Sequence, residues 1–376
     1  MRILSVFGTR PEAIKMAPVV QELSKTPGIE SIVCITAQHR QMLDQVMDLF
    51  KIKADVDLDI MQPNQSLAQL TAHLFSRLDP VLAEINPDWV LVQGDTTTTM
   101  TTALLSYYRQ MRVGHVEAGL RTYNKWHPFP EEVNRRVVGS IADLHFAHTD
   151  WAKENLLKEG VSGDHIVMTG NTVIDALQFM AKLPDSPELK ALLLRVGLTG
   201  ETSHGSPRLV LVTAHRRENF GEPLENICLA LRQLSEHYGD AIRIIYPVHL
   251  NPNVHETAFR ILKETPNIHL LEPLDYLPFV QLMRRATLLL TDSGGLQEEA
   301  PSLGVPVLVL RQVTERPEGI QAGTVRLVGT RSADIVLETR RLLDDPLAYQ
   351  EMAQAVNPYG DGRAAGRIVR AILHQT

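Results

Sequence analysis

The sequence predicts an α/β protein of two Rossmann-like parallel-sheet domains facing a central cleft, and three observations predict it. Short runs of Val, Ile and Leu alternate with longer helix-patterned segments, the signal of parallel sheets covered on both faces. At 376 residues the chain exceeds the usual span of one hydrophobic core, so two domains are the default. The two halves also open alike: Val6-Phe-Gly-Thr-Arg10-Pro-Glu12 leaves the first strand of one, and Val212-Thr-Ala-His215-Arg216-Arg217-Glu218 leaves the matching strand of the other. Each places a basic residue directly after a strand and an acid two or three positions on, at an expected helix start. Open parallel sheets bind ligands beyond the C-terminal ends of their strands, which puts the expected ligand in the cleft.

In chain order, strands are expected at Ile3–Phe7, Ser31–Thr36, Trp89–Val92, Val113–Val116, Leu144–Ala147 and Ile166–Met168. A second set of six follows at Leu209–Thr213, Ile242–Pro247, Ile268–Leu271, Thr287–Thr291, Val305–Leu310 and Val325–Val328. The first domain is assigned residues 1–180 and the second 181–362. Between them, Lys182 to Pro207 is polar and broken by Pro and Gly around a helical Glu188–Val196, which reads as a linker allowing one domain to swing. The Gly-rich turn Asn357-Pro-Tyr-Gly-Asp-Gly362 is expected to redirect the last helix, 363–376, back across the first domain.

Composition narrows the function. A net charge of −7 is spread along the chain, with no run of Lys or Arg and no aromatic-basic interleaving, so nucleic acid and anionic membrane are poor partners. No apolar segment approaches membrane-spanning length, and the start lacks the features of a signal peptide. Cys34 and Cys228 each lie within an apolar segment and read as buried thiols in a reducing compartment, with the cytoplasm as the simplest location. There is no Gly-x-Gly-x-x-Gly after a strand, no Walker-type loop, no His/Cys cluster at metal-ligand spacing and no Gly-x-Ser-x-Gly elbow. Hence no cofactor and no metal are expected, and redox epimerisation and Ser hydrolysis are disfavoured.

What remains is acid-base chemistry beside a phosphate seat. Asp292-Ser293-Gly294-Gly295 ends an apolar strand, where small residues and the free N–H groups of a helix start favour an anion. Glu298 and Glu299, just over one turn on, could hold ribose hydroxyls; the plain alternative is an ordinary βα turn. In the first half, Gly94-Asp95 ends one buried strand and Val116-Glu117 the next, while Pro130-Glu131-Glu132 opens a helix. Crowded carboxylates separate their pKa values, and that separation creates paired acid and base roles. The structural alternatives are a helix cap for Asp95, a dipole partner for Glu131 and an Arg121 partner for Glu117. Arg10, Lys15, His215 and Arg216 are the basic candidates for a diphosphate.

Several blocks together carry a resemblance. Phe7-Gly-Thr-Arg-Pro-Glu-Ala-Ile-Lys15-Met-Ala-Pro18, Thr36-Ala-Gln-His-Arg40, Gly94-Asp-Thr-Thr-Thr-Thr99, Gly114-His-Val-Glu-Ala-Gly-Leu-Arg-Thr122, Thr291-Asp-Ser-Gly-Gly, Gln297-Glu-Glu-Ala-Pro-Ser-Leu-Gly304 and Thr314-Glu-Arg-Pro-Glu318 resemble the bacterial non-hydrolysing UDP-N-acetylglucosamine 2-epimerases along essentially the whole chain. The resemblance implies a GT-B-like fold, a homodimer, and interconversion of UDP-N-acetylglucosamine and UDP-N-acetylmannosamine for surface polysaccharide synthesis. UDP would be eliminated to leave a 2-acetamidoglucal and then returned. It implies Asp95, Glu117 and Glu131 as the acid/base set, with His215 near the phosphates. UDP contacts would fall at Arg10, Lys15, Phe279, Ser293, Gly294, Gly295, Glu299 and Arg316, with Glu299 on the ribose and Phe279 near the uracil. UDP-N-acetylglucosamine is implied as an activator as well, at Gln38, Gln41, Gln65, Glu131, Arg216 and His249. A GT-B glycosyltransferase or a hydrolysing epimerase would share the nucleotide seat without needing three clustered acids. A nucleotide-sugar sensor would tolerate loss of Asp95.

Overall fold

The structure is a computed structural model that describes residues 1–36, 40–62, 65–198 and 206–375. The chain divides into two compact units, residues 1–176 with 359–376, and residues 177–358.

The first unit holds β1 (Arg2–Phe7), β2 (Glu30–Ile35), β3 (Val56–Asp57), β4 (Trp89–Gln93), β5 (Arg112–Ala118), β6 (Leu144–Ala147) and β7 (Ile166–Met168) in one parallel sheet, ordered β3-β2-β1-β4-β5-β6-β7. The second holds β8 (Arg208–Thr213), β9 (Ile242–Pro247), β10 (Ile268–Leu271), β11 (Leu288–Thr291), β12 (Val307–Val309) and β13 (Val325–Leu327), ordered β10-β9-β8-β11-β12-β13. Six strands were expected in each half, and the second unit has six among its described residues. The first has a seventh, β3, an edge of two residues and too short to show as an apolar run.

The strands are buried on both faces, so they read as continuous apolar runs. β4, Trp-Val-Leu-Val-Gln, is buried throughout and pairs Trp89 with Ile3 and Val90 with Leu4. In the second unit Val210 and Val212 of β8 pack with Leu288 and Leu290 of β11 and with Leu224 and Leu231 of the covering helix Glu222–Tyr238. Each such side chain contributes roughly 1.5–3 kcal/mol by leaving water.

Both sheets reverse strand order once, between β1 and β4 and between β8 and β11. Ligands of doubly wound sheets sit at such reversals. The four turns there are Gly8-Thr9-Arg10, Gly94-Asp95-Thr96, Ala214-His215-Arg216 and Asp292-Ser293-Gly294.

In the first unit one carboxylate fixes both turns. Thr9 caps the helix Arg10–Lys25 by accepting from the Glu12 N–H, and Glu12 Oε2 accepts from the N–H groups of Gly8 at 2.9 Å and Thr9 at 2.7 Å. Its other oxygen accepts from the hydroxyls of Thr96 at 2.6 Å and Thr99 at 3.2 Å, at the start of the helix Thr97–Tyr108. Burial pushes the Glu12 pKa up, against the pull of these donors.

The last helix, Ala364–Leu373, belongs to the first unit and packs on Arg10–Lys25. The helix Pro187–Arg195 lies in the second unit, and residues 199–205 of the expected linker fall outside the described residues. Cys34 and Cys228 are buried and unbonded. Among the described residues no helix is long and apolar enough to cross a membrane, and no cluster of His, Cys, Asp and Glu could hold a metal ion.

Candidate active site

Asp95 follows β4 through Gly94, which has a φ of +73°. It does not cap the next helix; Thr96 does, its Oγ accepting from the Thr99 N–H at 3.2 Å. The Asp95 carboxylate instead meets a two-pronged guanidinium, Arg135 Nε at 2.8 Å and Nη2 at 2.7 Å, while Asn134 donates to the Asp95 carbonyl at 2.8 Å. Asn134 and Arg135 come three and four positions after Glu131 in the helix Glu131–Gly139, so one helical face presents all three. Arg135 also reaches Glu132 at 3.2 Å. Burial raises the Glu132 pKa, but N–H donors from Thr122 and Tyr123 outweigh it and hold the carboxyl below its usual range. Glu131 opens the helix, where a carboxylate also complements the dipole, and its Oε2 is buried without a hydrogen-bond partner among the described residues.

Glu117 sits where the β5–β6 register shifts, at a φ of +63° that a non-glycine residue rarely adopts. Lys15 donates to both of its oxygens, at 2.7 and 2.6 Å, Asn171 Nδ2 to Oε1 at 3.0 Å, and Gln93 Nε2 to Oε2. Arg121, the partner suggested by sequence spacing, forks onto Glu159 instead, at 2.9 and 2.7 Å. Lys15, expected beside a diphosphate, thus lies on the acid side. A methyl on Gly94 would come 3.9 Å from Glu117 Oε2, so the Asp95 turn runs beside Glu117. His115 holds that turn, donating from Nε2 to the Gly94 carbonyl at 2.7 Å; burial pushes its pKa down to about 4, which keeps the ring neutral. Arg10 follows β1 and has no ion-pair partner among the described residues.

The second unit builds its turns differently. Asp292, fully buried, accepts from the N–H groups of His215 and Arg216, each at 2.8 Å, and from Asn219 Nδ2 at 3.0 Å. One carboxylate therefore orders the basic turn after β8 and begins the Ser293-Gly294-Gly295 turn after β11. His215 stacks on His249 with ring centres 5.4 Å apart, and its Nδ1 lies 3.6 Å from Asp292 Oδ1. Burial lowers the His215 pKa; Asp292 opposes the fall, and His249 and Arg216 add to it.

Neither Gly294 nor Gly295 has a positive φ, so the backbone alone does not require glycine there. A methyl on Gly294 would lie 3.5 Å from Arg216 Nη2 and 3.7 Å from Arg316 Cζ. Two guanidinium groups beside this turn suit an anion. The helix that follows, Leu296–Glu299, has only four residues, so its dipole is short. Arg316 is held by buried Glu298, Nε to Oε1 at 2.5 Å, while Glu299 is half-buried. Phe279 is half-buried on the helix Tyr276–Arg285.

Of the remaining expected residues, Gln65 belongs to the first unit, with Nε2 2.7 Å from His73 Nδ1. Gln38 and the side chain of Gln41 lie outside the described residues. Sequence reasoning missed Arg135, Asn134, Gln93, Asn171 and Asp292. The first two could have been found from their spacing to Glu131.

With this geometry in place, comparison with known proteins is direct. A family model described as UDP-N-acetylglucosamine 2-epimerase matches residues 21–373. A UDP-N-acetylglucosamine 2-epimerase of Salmonella typhimurium is 53% identical, over 99% of this chain and 98% of its own. The solved structure of the Neisseria meningitidis UDP-GlcNAc 2-epimerase, bound to UDP-GlcNAc, is 49% identical with a TM-score of 0.87 over all of both chains. A glycotransferase of kitacinnamycin, 12% identical, reaches a TM-score of 0.65 over all of this chain and 98% of its own, and shares the fold alone. The fold is GT-B-like, with two Rossmann-like parallel-sheet domains.

Proposed function

The chain belongs to the UDP-N-acetylglucosamine 2-epimerase family, and from that premise we propose that it interconverts UDP-N-acetylglucosamine and UDP-N-acetylmannosamine without hydrolysis. A base takes the carbon-2 proton, the bond from carbon 1 to UDP breaks, and a 2-acetamidoglucal remains bound. A proton then enters carbon 2 from the opposite face as the UDP oxygen returns to carbon 1. Asp95, Glu117 and Glu131 are the acid/base set. The observation that carries the reading is their arrangement: three carboxylates, just after β4, on β5 and at the start of the next helix of one unit, two of them braced by cationic side chains.

Ser293, Gly294 and Gly295 seat the diphosphate with Arg10, Arg316 and His215, Glu299 takes the ribose and Phe279 lies near the uracil. Lys15 serves Glu117 until the diphosphate arrives. Gln38, Gln41, Gln65, Glu131, Arg216 and His249 form an activator site for a second UDP-N-acetylglucosamine. A cytoplasmic homodimer supplying surface polysaccharide synthesis completes the proposal.

The test is incubation with UDP-N-acetylglucosamine in heavy water, following carbon 2 by NMR. Deuterium at carbon 2 with UDP-N-acetylmannosamine accumulating is the expected result. Release of free sugar would instead identify a hydrolysing enzyme, and an unexchanged carbon 2 would sink epimerisation altogether.

A further inference from the structure

Of Lys15, Gln93 and Asn171, which all donate to Glu117, Asn171 comes from farthest along the chain and connects the carboxylate to the C-terminal segment. Asn171 is 1% exposed. Its Oδ1 accepts the Val173 N–H at 3.1 Å, which turns Nδ2 toward Glu117 Oε1, 3.0 Å away. Its backbone N–H donates to the Tyr359 carbonyl at 2.7 Å.

The turn carrying Asn171 is gripped from both ends by the returning chain. A methyl on Gly170 would sit 3.1 Å from Gly360 Cα, so the two backbones touch there. Arg367 Nη1 donates to the Thr169 carbonyl at 2.9 Å. Asp175 accepts the Ala364 and Ala365 N–H groups at 3.1 and 2.9 Å, fixing the start of the last helix to the same turn. The carboxylate served by this assembly belongs to a residue at a φ of +63°, a conformation that persists only where surrounding contacts over-determine it.

We propose that Asn171 is a positioning residue for Glu117, and that the Tyr359–Gly360 segment acts on the reaction through it. The proposal rests on the epimerase reading for the role of Glu117. An amide donor at Oε1 fixes the direction of the carboxylate and favours its charged form. The C-terminal segment is thereby part of the acid/base apparatus.

The test compares wild type with Asn171→Ala, Asn171→Asp and Gly360→Ala, measuring kcat and KM for UDP-N-acetylglucosamine against pH together with the melting temperature. Asn171→Ala is expected to lower kcat roughly 10- to 100-fold, the scale of a misplaced catalytic group. KM should stay within about threefold, because binding is not what is lost. Asn171→Asp keeps the shape and the Val173 bond but sets a like charge beside Glu117. The acid limb of its kcat profile should move up by about one pH unit. Gly360→Ala should lower kcat in the same sense at unchanged UDP affinity.

Asn171 variants with kcat within about twofold of wild type would overturn the proposal. So would a fall in kcat with an unmoved acid limb and a collapsed melting temperature, which marks a structural role only. Parental kcat in Gly360→Ala would remove the C-terminal link. A wild-type chain that does not epimerise would sink the epimerase reading and this inference together, whereas an active wild type with indifferent variants sinks the inference alone.

Discussion

The two units share one strand order about their reversal points, β2-β1-β4-β5 in the first and β9-β8-β11-β12 in the second, yet they furnish those points with opposite chemistry. The first presents side chains: Asp95 against Arg135, Glu117 against Lys15, Gln93 and Asn171, and the unpartnered Oε2 of Glu131. The second presents backbone: two glycines whose φ values do not demand glycine, Gly294 beside Arg216 and Arg316 and Gly295 beside Glu299. The scaffold supplies the position and the turn residues supply the function. A carboxylate that moves protons must be held in direction and charge, whereas a phosphate seat needs open backbone and positive field. The buried carboxylates differ in the same sense: Glu12 binds two turns of the first unit together, and Asp292 orders the basic turn of the second.

The comparison breaks most visibly at Asp95. Asp95→Asn should lower turnover by roughly 10²- to 10⁴-fold, the worth of a general acid or base, in a steady-state assay, while UDP binding survives. Acidification should strike the first unit next. His115 and His145 face each other across β5 and β6, and burial lowers their pKa values from 6.5 to about 4 and about 3. The unfolded chain therefore binds protons that the folded unit refuses, so stability held above pH 6.5 is lost as the pH falls from 6.5 toward 4. At pH 5 the cost is at most about 2 kcal/mol per ring, to be read from denaturant unfolding at pH 7 and pH 5. A flatter loss in His145→Gln would support the assignment; the same loss would not.

In the second unit, Asp292→Ala leaves three buried or half-buried donors without their acceptor and should cost on the order of 3 kcal/mol by denaturant unfolding. Gly294→Ala is the smallest change. Because the site can accept a Cβ, it should stabilise the ligand-free protein by about 0.5 kcal/mol, read as a slight rise in melting temperature. A loss of stability there would mean that glycine serves the turn rather than a ligand.

Much of this division was legible in the sequence, and for identifiable reasons. Strands buried on both faces appear as unbroken apolar runs, so an acid closing such a run, as Asp95 and Glu117 do, stands out. β3 was not legible, because a two-residue edge leaves no pattern. Arg121 sits four positions after Glu117 and looks like its partner, but Glu117 lies at an irregular end of β5 where helical spacing means nothing. Lys15 points to Glu117, a pairing across 102 residues that only the fold creates. Asn171 is hidden for the same reason. The glycines after Asp292 were visible as composition, but that their φ values leave the backbone no need of glycine required the structure.

The central claim is that proton chemistry resides in the first unit and the Ser293-Gly294-Gly295 turn of the diphosphate seat in the second. Calorimetric titration of UDP into wild type, Asp95→Asn and Gly294→Ala tests it most directly. The account predicts that Asp95→Asn binds UDP within about threefold of wild type, whereas Gly294→Ala, with a methyl where a phosphate oxygen should lie, binds on the order of tenfold more weakly. Equal weakening in both variants, or wild-type affinity in Gly294→Ala, would contradict it.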